Sequence, residues 1–105
     1  MATEAAELTV AGKRWAEETL QRIANELKIP VEGLRWRDDF PGPYLSSLYF
    51  NVREGRQNEP LEFRLRQLED CANPANRPAR GSLEDQIRNN LRGVSERLKA
   101  SGEQH

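Results

Sequence analysis

The feature that most constrains the fold of this chain is an alternation of apolar and polar residues in two neighbouring segments. Residues 61–68 read LEFRLRQL, and residues 45–53 read LSSLYFNVR. Successive side chains of a β-strand point to opposite faces, so each segment predicts a strand with one apolar and one polar face. The turn-forming residues EGRQNE lie between the two segments, which favours an antiparallel hairpin.

The apolar positions of this hairpin suggest its register. One alignment places Phe50 opposite Phe63 and Tyr49 opposite Arg64, so that like side chains meet on each face. A second alignment, shifted by two residues, also keeps the apolar and polar faces separate. The alternation alone therefore leaves both registers open.

Apolar residues also recur at intervals of three and four on both sides of the strands, which indicates two amphipathic helices. The first helix is expected over residues 9–28, with Thr9 as its N-cap, or Thr3 if it begins earlier. The second is expected to begin at Ser82, with Asp85 in its first turn. The two apolar stripes consist of Ala16, Leu20, Ile23, Ala24 and Leu27, and of Leu83, Ile87, Leu91, Val94 and Leu98.

A further strand is expected within GLRWRDDF, residues 33–40, where two apolar side chains alternate with two arginines. The element order is then α-β-β-β-α, with an irregular connection over residues 72–81. We predict an α+β fold, a two-layer sandwich in which both helices cover one face of a three-stranded antiparallel sheet. We expect a single domain over residues 1–105, with an ordered core at about 9–100 and frayed termini.

Charge and cysteine content exclude several functional classes. Charged residues make up 31% of the chain, but the net charge is −1, so bulk attraction to nucleic acid or anionic lipid is not expected. Cys71 is the only cysteine, which excludes an intramolecular disulfide and favours a reducing, cytoplasmic setting. The sequence has no signal-peptide pattern and no run of about 18 apolar residues, so we expect no membrane association.

The residues that common enzyme mechanisms use are missing or badly placed. His105 is the only histidine and the last residue, so neither a Ser-His nor a Cys-His pair is expected. Cys71 follows Asp70, and a neighbouring negative charge raises a thiol pKa, which argues against a reactive thiolate. The cysteine and histidine also lack the spacing of a zinc site. We therefore predict no catalytic residue, no metal site and no cofactor.

Glu62-Phe63-Arg64 loosely resembles the E-x-K element of some metal-dependent nucleases, a class in which an α-β-β-β-α core also occurs. That resemblance implies metal-dependent cleavage of nucleic acid and a second acidic residue on the preceding strand. The corresponding positions hold Tyr49 and Asn51, which do not supply the converging carboxylates of a two-metal site. A metal-dependent nuclease is therefore the third functional hypothesis.

The element order also resembles that of double-stranded-RNA-binding domains and of the small bacterial toxins that share their fold. The RNA-binding domains have a basic run at the start of the final helix, where phosphates meet amide donors. Here Arg77 and Arg80 precede the predicted helix, but Glu84 and Asp85 follow in its first turn and would repel a phosphate. The toxins carry a strand histidine that this chain lacks, so the resemblance is limited to the element order.

The outward side of the predicted sheet is rich in arginine. We take six outward residues as a candidate binding surface: Arg35, Arg37, Tyr49, Arg53, Arg64 and Arg66. Arg77 and Arg80 are secondary basic candidates. Arginine offers forked donors to carboxylates and phosphates, and both arginine and tyrosine are favoured at protein interfaces.

We therefore predict a small non-catalytic binding or interaction module. Its partner would be another protein or a second copy of the chain. The alternative hypothesis is a nucleic-acid-binding module that uses the same surface, in which arginines would follow the phosphate backbone. A third interpretation gives these arginines no partner but solvent, as on the outer face of many antiparallel sheets.

Overall fold

The computed structural model describes residues 2–40, 42–52, 56–57 and 60–103. The predicted α+β class is confirmed, since a helix precedes an open antiparallel sheet and two further helices follow it. The elements are α1 Ala2–Glu26, β1 Glu32–Asp38, β2 Leu45–Val52, β3 Arg56–Gln57, β4 Leu61–Arg64, α2 Leu65–Cys71 and α3 Arg77–Glu103. The molecule measures 55 × 26 × 18 Å, because α1 and α3 are long helices that rise about 1.5 Å per residue.

Strand β2 is the centre of the sheet. It pairs with β1 along one side, and with β3 and then β4 along the other. Trp36 of β1 and Leu61 of β4 both lie opposite Leu48, and Phe63 lies opposite Ser46. These residues point toward the helices, and the rings of Trp36 and Phe63 lie 6.0 Å apart between their centroids.

The hairpin register and the length of its second strand differ from the prediction. Phe63 lies opposite Ser46 and not Phe50, so both predicted registers are wrong. Strand β3 pairs with residues 51–52 at the C-terminal end of β2. This leaves the N-terminal part of β2, residues 45–48, to pair with β4. β2 begins at Leu45, so a strand that starts opposite Leu48 loses its partner after Arg64.

The second half of LEFRLRQL is therefore helical. Leu65 donates its amide to the carbonyl of Tyr44 over 2.9 Å, and from this residue the chain turns into α2. Leu68 and Cys71, three residues apart, are the fully buried side chains of this short helix. The apolar spacing thus changes from two to three residues where the neighbouring strand ends.

Both predicted helix starts are too late. α1 already includes Thr3 and Thr9, so neither is its N-cap. α3 begins at Arg77, and Asn76 is its cap, because the Asn76 side chain accepts a hydrogen bond from the amide of Ala79 over 3.3 Å. Ser82 consequently lies inside α3, and the irregular connection is shorter than predicted.

The core lies between the inward face of the sheet and the three helices. Its buried hydrophobic residues are Ala16, Leu20, Ile23, Ala24, Ile29, Val31, Leu48, Phe50, Val52, Leu61, Phe63, Leu68, Cys71, Leu83, Ile87, Leu91 and Val94. Gly12 is also buried, because α1 approaches the backbone of α2 so closely that no side chain fits between them. A glycine that weakens an isolated helix is here required by helix packing.

Candidate interaction face

The outward side of β1, β2 and β4 carries three of the predicted arginines and the predicted tyrosine. Arg35 lies opposite Tyr49, and Arg64 lies opposite Leu45. Arg37 lies opposite Ser47, which in turn lies opposite Glu62. The three arginines are exposed and Tyr49 is half-buried. We refer to Arg35, Arg37, Tyr49 and Arg64 as the arginine face.

Aromatic rings support two arginines of this face. The Arg35 guanidinium lies 5.7 Å from the centre of the Tyr49 ring, and it also donates a 2.8 Å hydrogen bond to the carbonyl of Gly33. The Arg37 guanidinium lies 3.9 Å from the centre of the Phe40 ring. These cation–π contacts restrict the side chains without using their N–H donors, so less conformational entropy is lost when those donors bind a ligand.

The loop between β1 and β2 covers part of the outward face of the sheet. Ser47 is fully buried although it points outward, and its hydroxyl donates a 2.7 Å hydrogen bond to the carbonyl of Phe40. The loop between β1 and β2 therefore folds over this end of the sheet. Asp39 and Tyr44 have positive φ values of 55° and 64°, which reverse the chain on either side of the loop. Phe40 was not among the residues predicted for this face, although it lies only three residues after Arg37, whose guanidinium packs on its ring.

Two candidate residues do not join the arginine face. Arg66 is exposed on α2 rather than on a strand, because β4 ends at Arg64. Arg53 lies outside the described residues. The register that pairs Phe50 with Phe63 also predicts Leu68 opposite Leu45 on the outer face, but Leu68 is fully buried in the structure.

The two secondary candidates have different surroundings. Arg80 is half-buried, and its Nε donates a 2.8 Å hydrogen bond to the carbonyl of Cys71 at the end of α2. Its guanidinium also lies 4.9 Å from the centre of the Trp15 ring. Arg80 thus connects α1, α2 and α3. Arg77 is exposed in the first turn of α3 and remains available for a ligand.

Most acidic partners of the described cations lie on the helical side of the molecule. Lys13 of α1 binds Asp38 over 2.6 Å, and three further ion pairs join α1 to α3 or lie within α1: Arg22–Glu26, Arg22–Glu84 and Arg88–Glu26. Arg37 and Arg64 form no ion pair within the described part of the chain. Arg37 and Arg64 therefore present positive charge that no described acidic residue neutralises by an ion pair.

Asp38 shows how a carboxylate close to this face is directed away from it. Its side chain points inward, where it accepts hydrogen bonds from Lys13 and from the Ser46 hydroxyl over 2.7 Å. The hydrogen bonds from Lys13 and Ser46, in that order of strength, hold the pKa of Asp38 below its ordinary value. Beside it, the Trp36 indole donates a 2.8 Å hydrogen bond to Glu17.

Among the residues described by the structure, no three His, Cys, Asp or Glu side chains come together as a metal site. Burial raises the pKa of the Cys71 thiol to about 11. No helix in the described ranges is long and apolar enough to cross a membrane.

The fold and the exposed face define a small α+β domain with helices on one side of its sheet and arginines on the other. Comparisons with protein-family models, with curated proteins and with solved structures find no match to this chain.

Proposed function

We propose that this protein is a non-catalytic interaction module whose arginine face binds an acidic segment of another protein. One observation carries the proposal: Arg37 and Arg64 lie on the same face of the sheet and are exposed without an ion-pair partner in the described part of the chain. Three helical cations, Lys13, Arg22 and Arg88, are by contrast paired. An isolated pair at a protein surface contributes only about 0.2–1 kcal/mol. Binding therefore requires several arginines that act together on one ligand.

The rigidity of the face supports this proposal. Phe40 and Tyr49 hold the neighbouring guanidinium groups above the sheet, at 3.9 and 5.7 Å from their ring centres. Charge-assisted hydrogen bonds between guanidinium and carboxylate are about twice as strong as neutral ones, roughly 1.5–3 kcal/mol each. A second copy of the chain is a weaker candidate, because two arginine faces placed together repel each other.

Nucleic acid is the second candidate ligand. Arg77 would add a further exposed positive charge at the start of α3. The exposed Glu62 lies in the same cross-strand row as Arg37, where its charge opposes a phosphate backbone and an acidic peptide alike, so it does not distinguish the two ligands. Tyr49 is the one aromatic ring among the described outward residues of the strands, and it already contacts Arg35. Single-strand binding sheets use several such rings.

The test is a titration with a fluorescent poly-L-glutamate and with single- and double-stranded oligonucleotides. We expect poly-L-glutamate to bind at about 50 mM salt and to bind less tightly at about 200 mM salt. The double variant Arg37→Gln/Arg64→Gln should lose most of this affinity. Its matched control, Arg14→Gln/Arg92→Gln, removes two exposed helical arginines and should keep it. Tighter binding of the oligonucleotides would favour the second candidate.

We further propose a cytoplasmic location, where the unpaired thiol of Cys71 stays reduced. A fluorescent-protein fusion of the chain should distribute through the cytoplasm of the expressing cell. Recovery of the native protein from an oxidising compartment would contradict this location.

A further inference from the structure

The outer edge of β1 differs from the outer edge of β4, which lies on the other side of β2. β1 pairs with β2 alone, and no other described strand lies beside it. On the opposite side of the sheet, the carbonyl of Glu62 in β4 already accepts a 2.8 Å hydrogen bond from the side chain of Gln86 on α3. A side chain thus occupies the edge of β4, whereas no described strand pairs with the outer edge of β1.

The alternation of hydrogen bonds along β1 identifies which backbone groups point away from β2, toward the outer edge of the sheet. The amide of Asp39 donates to the carbonyl of Leu45 over 2.8 Å. Bonded pairs alternate in an antiparallel ladder, so Arg37 and Arg35 also bond to β2. The N–H and C=O groups of Trp36 and Asp38 therefore point to the open edge, and neither backbone has another hydrogen bond in the described chain.

The side chains beside this edge suggest what kind of strand could pair with it. Arg35 and Arg37 point outward, about 6.6–6.8 Å apart as second neighbours in an extended strand. A residue directly opposite either arginine in an added strand would have its Cβ about 4.5–5.5 Å away, on the same outward face. The residue between two such positions would point inward, beside the half-buried ring of Trp36.

We infer that the β1 edge accepts an extended acidic segment of a partner protein as an additional antiparallel strand. The segment would alternate acidic residues, which face the two arginines, with apolar residues, which face Trp36. This inference rests on the proposed function and specifies its partner. Peptides are bound in this way by other proteins with open sheet edges, where main-chain bonds give affinity and alternate side chains give specificity.

The same geometry limits the length and the identity of the added strand. Regular pairing of β1 covers Arg35–Asp38, because the register shifts between Glu32 and Arg35 at Gly33, where φ is +67°. Asp39, with φ of 55°, ends the regular edge on the other side. The β1 strand of a second copy is a poor occupant, since antiparallel pairing would place arginines opposite arginines.

The experiment uses a fluorescent peptide, acetyl-Glu-Val-Glu-Val-Glu-amide, and two backbone-methylated forms of it. In the antiparallel arrangement the valine amides bond to Trp36 and Asp38, while the glutamate amides face solvent. Methylation of the valine amides should weaken binding about tenfold, since it removes main-chain hydrogen bonds. Methylation of the glutamate amides is the matched control and should leave the affinity within about twofold.

Hydrogen exchange supplies an independent measurement of the same contact. The amide protons of Trp36 and Asp38 should become protected when the peptide binds. Those of Arg35 and Arg37, which already bond to β2, should change little and serve as internal controls. This readout requires the native protein only and does not depend on whether a variant folds.

The remaining outcomes show whether the added strand alone or also the proposed function is wrong. Equal affinity for all three peptides, with unchanged exchange at Trp36, would overturn the added strand and leave the arginine face as the binding surface. Weaker binding of the glutamate-methylated peptide alone would overturn the antiparallel arrangement. If neither these peptides nor poly-L-glutamate bind, while an oligonucleotide does, both the inference and the proposed function are wrong.

Discussion

Replacement of Gly12 by alanine tests the packing on which this fold depends. A Cβ atom at Gly12 would lie 1.8 Å from the carbonyl oxygen of Leu68 and 2.5 Å from its carbonyl carbon. Both are backbone atoms of α2, so the contact cannot be relieved by a side-chain rotation. α1 and α2 would have to move apart by about 1.5 Å to reach ordinary van der Waals separation.

The expected magnitude follows from two opposing effects. Overpacking of a well-packed contact costs about 1–3 kcal/mol, and a clash with backbone belongs at the upper end of that range. Alanine gains about 1 kcal/mol over glycine in a helix interior. The Gly12→Ala variant should therefore lose about 2 kcal/mol of the free energy of unfolding, a large part of the roughly 5–15 kcal/mol of a typical domain.

Gly93 supplies the matched control for this prediction. It lies within α3, and an added Cβ there meets no atom within 4 Å. The Gly93→Ala variant should therefore gain up to about 1 kcal/mol from helix propensity alone. Urea unfolding, monitored by circular dichroism, measures the free energy of unfolding of both variants. A Gly12→Ala protein as stable as the wild type would refute the close approach of α1 to α2.

Three further predictions concern stability and reactivity. Arg80→Ala should lose about 1–2 kcal/mol of unfolding free energy in urea, because a charge-assisted bond to a backbone carbonyl is removed, while Arg77→Ala should change by less than about 0.5 kcal/mol. The folded-state pKa of Asp38 is lowered, so its stabilising contribution is present above its ordinary value of 3.8 and is lost as the pH falls through the folded pKa. Urea midpoints should therefore fall on acidification, and less steeply in Lys13→Gln. Cys71, buried and with a thiol pKa of about 11, should resist an aromatic disulfide reagent in the native protein at about pH 8 and react on unfolding. Rapid native labelling would contradict that prediction.

The sequence predicted the faces of the strands more reliably than their partners. A side chain's face depends only on whether its position is odd or even along the strand. The two predicted registers and the observed one differ by even numbers of residues, so Leu61 and Phe63 face the core in all three. The partner of each residue depends on how much of β2 is used by β3, which no local pattern of apolar residues records.

Helix α2 shows where two valid patterns compete in one segment. Leu61, Phe63 and Leu65 repeat at two-residue intervals, whereas Leu65, Leu68 and Cys71 repeat at three. Leu65 fits both patterns, so spacing alone does not locate the change from strand to helix. The change is decided by tertiary structure, since Leu65 makes the last ladder bond, to Tyr44 just before β2 begins.

Prediction of the candidate site depends both on the local alternation of residues and on tertiary structure. Arg35 and Arg37 were located correctly on the outer face because their positions alternate with inward residues along one strand. Arg66 was located wrongly, because its position depends on where β4 ends. The open edge beside the two arginines was not visible in the sequence at all. An edge is open only if no other element reaches it, and a distant side chain such as Gln86 can decide this by bonding one strand and not the other.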